Sequence, residues 1–341
     1  MLKKIIFFLI IINIFLLFTI NETLGKYTMV AESTLNLNVT SVVCKDELNT
    51  YYESLNSALE CRRGENSQIT LLDNVKEDIS IDYNSFYEID LNNYTLFGSV
   101  NISDGSSLTI KNGSVMQDKN IETFYVLGDL NISNAILKNT GEKKVIYSTG
   151  NVNIENSTII GEYYEQRYYP PAINTKGGTL NCINSTITST TEALDIEKTS
   201  DATVKNSTIN GFISIMAKSK FKLLENSKLI ASIDICGIGS FGTTTIDNAT
   251  IVQEGSGTAI NVSNGLTKIS NSKITSNLKD TIEVGEYPGS YAKLFLDSST
   301  LTNTSGRYAL HSVLGEERVI IGPNVIFNGK ISYDTTHEYE K

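Results

Sequence analysis

Three carboxylates, Asp195, Asp234 and Glu283, each lie at the centre of an apolar triplet: Leu194-Asp195-Ile196, Ile233-Asp234-Ile235 and Ile282-Glu283-Val284. In a short strand the central residue points to the face opposite its two neighbours, so each acid is offered outward while the aliphatic side chains turn in. Two carboxyl groups flanking one bond supply the acid and the base or nucleophile of glycoside hydrolysis, and these three are the candidate catalytic residues if the chain is an enzyme. The equivalent position in other triplets holds Tyr125, Tyr147, Asn174, Ser214, Asn261 and His311. Such a polar and aromatic row suits a carbohydrate groove, and equally the solvated face of any strand array.

Aromatic residues are concentrated just ahead of Asn174. The stretch 161–171, GEYYEQRYYPP, contains Tyr163, Tyr164, Tyr168 and Tyr169, and 285–291, GEYPGSY, adds two more tyrosines. Tyrosine faces stack on sugar rings while amides and hydroxyls bond sugar hydroxyls, so Tyr163, Tyr164, Tyr168, Tyr169, Asn174 and Tyr147 are the candidate ligand-binding residues; the alternative is that these rings pack over neighbouring segments. Two histidines and no Cys-x-x-Cys give no support for a metal site, and no motif calls for a cofactor. His311 reads as a surface residue and Cys182 as a small buried hydrophobe. Cys44 and Cys61, close together near the N-terminus, are the candidate disulfide of a secreted chain.

These residues are positioned by a repeat. An Asn with an apolar residue two before and three after it recurs at Asn112, Asn134, Asn156, Asn184, Asn206, Asn226, Asn248 and Asn271, with degenerate copies at Ser298 and Pro323. Successive differences in these positions are 22, 22, 28, 22, 20, 22, 23, 27 and 25, and a period near 22 means a solenoid. The apolar positions form two aliphatic columns, Ile110, Ile132, Ile154, Cys182, Val204, Leu224, Ile246 and Ile269 before the Asn, and Val115, Leu137, Ile159, Ile187, Ile209, Leu229, Ile251 and Ile274 after it. Ile326 continues the second column past Pro323. No single unit can bury such a stripe, whereas stacked units bury each other's. Asn tolerates left-handed backbone angles, so it suits a tight corner, and the eight Asn residues are expected to form an internal amide ladder. On that expectation the many Asn-x-Ser/Thr triplets are structural and not glycosylation acceptors. The triplets containing the carboxylates supply a third strand per turn.

Three short strands per turn describe an all-β fold, a right-handed parallel β-helix of about 22 residues per coil, and here the chain resembles the pectate-lyase-like fold, which includes polysaccharide lyases, glycosidases, tailspikes and surface proteins. The resemblance spans about residues 100 to 330. In its enzymes the active groove follows the outward side of the third strand, which implies that a polysaccharide hydrolase or lyase site, if present, uses Asp195, Asp234 and Glu283. Coils stack about 4.8 Å apart, so pairs two coils apart lie roughly 9 to 10 Å from each other, at the upper limit for an inverting glycosidase. No arginine falls in the third strand, so no lyase base is carried over. A sharper resemblance lies upstream, where ITLL (69–72) and IDLNNYTL (89–96) follow a helical stretch around Tyr51 to Leu59, as in Gram-positive surface β-helices. It implies a secreted or cell-surface protein, non-enzymatic and adhesin-like or glycan-binding, with a structural spacer as a further alternative.

The ends agree with that placement. Residues 1–25 carry Met-Leu-Lys-Lys, an almost wholly apolar run from Ile5 to Ile20 and a polar flank, the pattern of a signal peptide. The apolar run is short against the roughly 20 residues of a membrane span, so contact with a membrane is expected only if this segment stays uncleaved. Residues 26–98 are expected to hold a linker, a first strand from Thr40 to Cys44, a short helical cap and the first coil, 99–330 the β-helix, and 331–341 a polar tail. With 38 acids against 28 bases the net charge is −10, which argues against nucleic acid as a partner and leaves glycans or host and cell-surface proteins.

Overall fold

Each repeat closes into one turn of a parallel β-solenoid because its three strands are too short to stand alone and its corners are built from residues that accept a sharp bend. The structure is a computed structural model that describes residues 27–31, 37–64, 66–163, 170–285 and 290–333. A first sheet runs from Asn66–Leu71 to Val319–Ile321 through eleven successive parallel pairings, hence twelve turns. A second sheet follows each Asn corner, from Thr95–Phe97 to Ile326–Asn328. The third begins at Ile79–Ile81 and ends at Lys330–Ser332.

Both aliphatic columns are present and buried, with two shifts of register. Val204 pairs with Leu223, not Leu224, because that corner holds two left-handed residues, Glu225 at φ 56° and Asn226 at φ 63°. In the last turn Leu301 pairs with Phe327, not Ile326, and the left-handed corner residue is Asn324, not Pro323.

The eight corner Asn residues all adopt positive φ, from 45° to 63°, but they do not form an internal ladder. Asn112 is half-buried and the other seven are exposed. From the apolar residue two before the Asn to the one three after it is five steps, an odd number. Strict alternation therefore fails at the corner, and the following residue turns in instead. That residue is Ser157, Ser185, Ser207, Ser227, Ser272 or Ser299 in six coils, each at most 5% exposed. Each of these hydroxyls accepts the N–H of the residue after the Asn one coil back, as in Ser157 N–H to Ser185 Oγ at 3.0 Å, Ser185 N–H to Ser207 Oγ at 3.0 Å and, across the 27-residue coil, Ser272 N–H to Ser299 Oγ at 3.1 Å. Only scattered Asn pairs touch on the outside, for example Asn206 Nδ2 to Asn184 Oδ1 at 2.6 Å.

The N-terminal end is sealed. A helix, Leu55–Cys61, is capped by Ser54, and the Glu77 carboxylate accepts the N–H groups of Leu55 and Asn56 at 2.9 Å each. Leu55, Ala58 and Leu59 then bury against the first turn. The helix starts later than the apolar spacing suggests, because Tyr51–Tyr52 pairs as a strand with Cys44–Asp46. The expected linker and first strand are replaced by an antiparallel pair, Tyr27–Ala31 with Leu37–Ser41. The proposed Cys44–Cys61 bridge is absent: both thiols are free, Cys44 on the inward side of its strand and Cys61 exposed at the helix end. At the other end the inward residues Ile321 and Ile331 remain 41% and 43% exposed. Among the described residues no helix is long and apolar enough to cross a membrane, and the signal-like segment 1–25 lies outside them.

Candidate functional site

The third sheet presents one outward residue per turn, and strand pairing fixes the row: Asn101, Tyr125, Tyr147, Asn174, Asp195, Ser214, Gly239, Asn261, Glu283 and His311. Asp234 does not belong to it. The strand of that turn is Ile238–Ser240, so Gly239 takes the position, and Asp234 sits exposed in the preceding loop, accepting from Ser256 Oγ at 2.6 Å. The reason is steric. Between the third strand and the next first-sheet strand the chain makes a tight turn through a glycine, and a Cβ on Gly150 would lie 1.9 Å from the Gly128 carbonyl oxygen below it. Gly242 marks the same turn, so the strand must end at Ser240. Asp195 and Glu283 are then four rungs apart, roughly 19 Å at about 4.8 Å per rung and too far to work on one bond, and Asp234 stands off the row between them.

A different carboxylate group forms around Asp195. Its strand, Thr186–Glu197, carries Asp195 and Glu197 two residues apart, hence on one face, and an irregularity in the pairing beside Glu192 brings that side chain to the same place. Asn174, on the previous rung and 1% exposed, donates from Nδ2 to Asp195 Oδ2 at 2.9 Å and to Glu197 Oε1 at 3.0 Å. Lys176 Nζ lies 3.5 Å from Glu197 Oε2. Asp195 Oδ1 is buried with no hydrogen-bond partner. One rung before Asn174, Tyr147 stacks on Tyr125 with ring centroids 5.1 Å apart, and Lys144 Nζ lies 5.0 Å from the Tyr147 centroid. Tyr125 is 41% exposed.

The electrostatics follow from burial and crowding. Burial, and then the charges of Asp195 and Glu197, push the Glu192 carboxyl up to about 9. Burial and the neighbouring Glu197 push Asp195 up to about 7. Glu197 is also penalised by burial, but its bonds from Asn174 and Asp195 and the charge of Lys176 outweigh this and hold it below the usual carboxylate range. Near neutrality the group therefore holds a protonated carboxyl beside an ionised one, a donor next to an acceptor, on the open face of the sheet.

The remaining candidates are placed as follows. Tyr163 is 8% exposed, its hydroxyl donating to the Pro171 carbonyl at 3.2 Å and its ring lying against Gly161, so it packs instead of facing a ligand. Tyr164, Tyr168 and Tyr169 lie outside the described residues. Glu283 stands beside His311, whose Nδ1 is 3.0 Å from Asp280 Oδ2, so His311 belongs to a polar pair and is not an isolated surface residue. Among the described residues no group of three or more His, Cys, Asp or Glu side chains is arranged to hold a metal ion. Sequence reasoning missed Glu192, Glu197, Lys144 and Lys176. The two-residue spacing of Asp195 and Glu197 on a strand was the available signal, whereas nothing in the sequence announces the irregularity that redirects Glu192.

No family model, no curated protein and no solved structure matches the chain.

Proposed function

We propose that this chain is a secreted or cell-surface protein of the pectate-lyase-like kind that acts as a non-enzymatic, adhesin-like interaction module, binding glycans on the third-sheet face around Tyr125, Tyr147, Asn174 and Asp195. One observation carries the reading. Within four consecutive rungs the outward row passes from a stacked tyrosine pair to an amide-clamped carboxylate group that keeps both a proton donor and an acceptor. Sugar rings present C–H faces and hydroxyls side by side, and that alternation is what such a row complements. The net charge of −10 favours neutral or basic partners over polyanions, which excludes nucleic acid from the reading. Export rests on the basic start and apolar run of residues 1–25.

The test is a glycan array probed with the secreted chain and with Tyr125→Ser and Asp195→Asn variants. Binding that both variants abolish supports the reading, and binding that neither alters removes the third-sheet face from it. A second reading, polysaccharide hydrolysis, is favoured by the raised Asp195 carboxyl in contact with ionised Glu197. Release of reducing ends that disappears in Asp195→Asn would replace binding by catalysis. A chain that binds nothing on the array and releases nothing would leave the role of a spacer.

A further inference from the structure

The second and third sheets are joined by a loop whose length changes abruptly near the N-terminal end. Between Thr95–Phe97 and Val100–Ile102 there are two residues, Gly98 and Ser99, whereas the next two turns spend six each, 118–123 and 140–145. The longer loops overhang the step, and beneath them lies a groove of about 590 Å³. Phe97, Met116 and Gln117 line it, and its charged lining is mixed, with Lys76, Asp118 and Lys119 among the residues of both signs.

In three turns an amide at the end of the second-sheet strand ties this loop down. Asn139 Nδ2 donates to the Ile121 carbonyl at 3.0 Å, Gln253 Nε2 to the Ile235 carbonyl at 2.5 Å and Asn303 Nδ2 to the Lys279 carbonyl at 2.6 Å, in each case a carbonyl of the loop one turn earlier. Gln117 stands in register with Asn139, and its Oε1 likewise accepts the N–H two residues on, that of Lys119, together with that of Asp118, at 3.0 Å each. Its loop one turn earlier is only the two residues Gly98-Ser99, and the Ser99 carbonyl already accepts the Ile79 N–H at 2.8 Å. Gln117 is 3% exposed and its Nε2 has no hydrogen-bond partner. A buried donor without an acceptor is costly, and the residue that carries this one also lines the groove.

We infer that this groove is a ligand site for an acetamido sugar, whose amide carbonyl supplies the acceptor that Gln117 Nε2 lacks. The acetamido methyl then lies against Phe97 and Met116, Phe97 being 43% exposed, and the ring hydroxyls meet the mixed lining of Lys76, Lys119 and Asp118. A lining bearing both signs favours a neutral polyhydroxylated ligand over an anion, and the groove volume falls within the range of small-molecule sites. The site is separate from the third-sheet face, so it stands or falls independently of the glycan contacts proposed there.

The secreted chain, labelled with ¹⁵N, is titrated with N-acetylglucosamine, with glucose and with N-acetylglycine amide while the Gln117 side-chain amide resonances are followed. The expected result is saturable shifts of those resonances with the acetamido sugar, and binding at least about tenfold weaker for glucose, which lacks the acceptor. Gln117→Glu keeps both backbone N–H contacts but has no amide donor; it should weaken the sugar about tenfold with little change in melting temperature. Tyr125→Ser and Asp195→Asn should leave this titration unchanged even where they abolish array binding. Equal affinity for glucose, an unaltered Gln117→Glu variant or no shift up to the solubility limit would overturn the inference. Tighter binding of N-acetylglycine amide than of the sugar would overturn the ligand class and give the groove to a peptide.

Discussion

Ser207 Oγ accepts the Ser185 backbone N–H at 3.0 Å and donates to the Lys205 carbonyl at 2.6 Å, tying one corner of the solenoid to the corner before it. The adjoining Asn206 supplies the left-handed angle, φ 45°, and stands outside. Conformation and burial are thus divided between neighbours: Asn bends the chain and Ser satisfies the buried amide.

This division gives opposite expectations for the two residues. Ser207→Ala leaves the Ser185 N–H buried without an acceptor and should destabilise by about 1 to 3 kcal/mol. Asn206→Gly keeps the angle accessible and should cost only a few tenths of that, whereas Asn206→Ala should cost about 1 kcal/mol through strain at positive φ. Denaturant midpoints of the three variants check the ranking, and a larger loss from Asn206→Gly than from Ser207→Ala would refute it.

The period, the three strands per turn and the sealed N-terminal end were legible because each has a residue pattern that only one arrangement satisfies. Aliphatic columns such as Ile110, Ile132 and Ile154 can be buried only by stacking. The partition of Asn and Ser at the corners was less visible, because one left-handed residue breaks the alternation on which inside and outside are judged. Ile233-Asp234-Ile235 misleads for another reason. It has a strand's local pattern, but the place of the strand is set from behind, by the glycine turn at Gly242, and local patterning loses to coil closure. Glu192 joins the candidate site through a pairing irregularity that depends on tertiary contacts alone.

The carboxylate group should make stability depend on pH above the acid range. Glu192 and Asp195 have folded values raised to about 9 and about 7, so the folded state holds protons that the unfolded chain has released. Their contribution is fully present below the ordinary carboxylate range and is lost as pH rises through about 7 and then about 9, with a slope of at most about 1.4 kcal/mol per pH unit for each proton. Glu197 has the opposite sign: its lowered value contributes stability that is lost only as pH falls through the acid range. Thermal midpoints between pH 5 and 10 should therefore decline, and Glu192→Gln should flatten the decline and raise the midpoint at the alkaline end. A variant with the same pH dependence as the parent would show that Glu192 ionises normally.

The thiols should sort by burial. Cys61 is exposed at the end of the capping helix, whereas Cys44 and Cys182 are buried, and burial pushes their thiols up to about 12 and about 11. A disulfide-exchange reagent at pH 8 should modify Cys61 in the folded chain and reach Cys44 and Cys182 only after denaturation. Mass mapping of modified cysteines reads this directly. A Cys44–Cys61 crosslink in the untreated protein would contradict the arrangement of the cap.

The last expectation separates the two carboxylates that the sequence treats alike. Asp195 lies on the outward row, is clamped by Asn174 and is pushed up by burial and the neighbouring Glu197, so Asp195→Asn removes the acid without removing bulk and should weaken any glycan bound on that face by about tenfold. Asp234 lies off the row, exposed in its loop, with its Oδ1 engaged by Ser256 Oγ at 2.6 Å. Asp234→Asn should leave both binding and any release of reducing ends unchanged and alter stability by less than about 1 kcal/mol. Affinities of the two variants for whichever glycan the array selects decide the matter. Equal losses would return Asp234 to the site and would require the chain to pair Ile233-Asp234-Ile235, not Ile238–Ser240, with its neighbours in the third sheet.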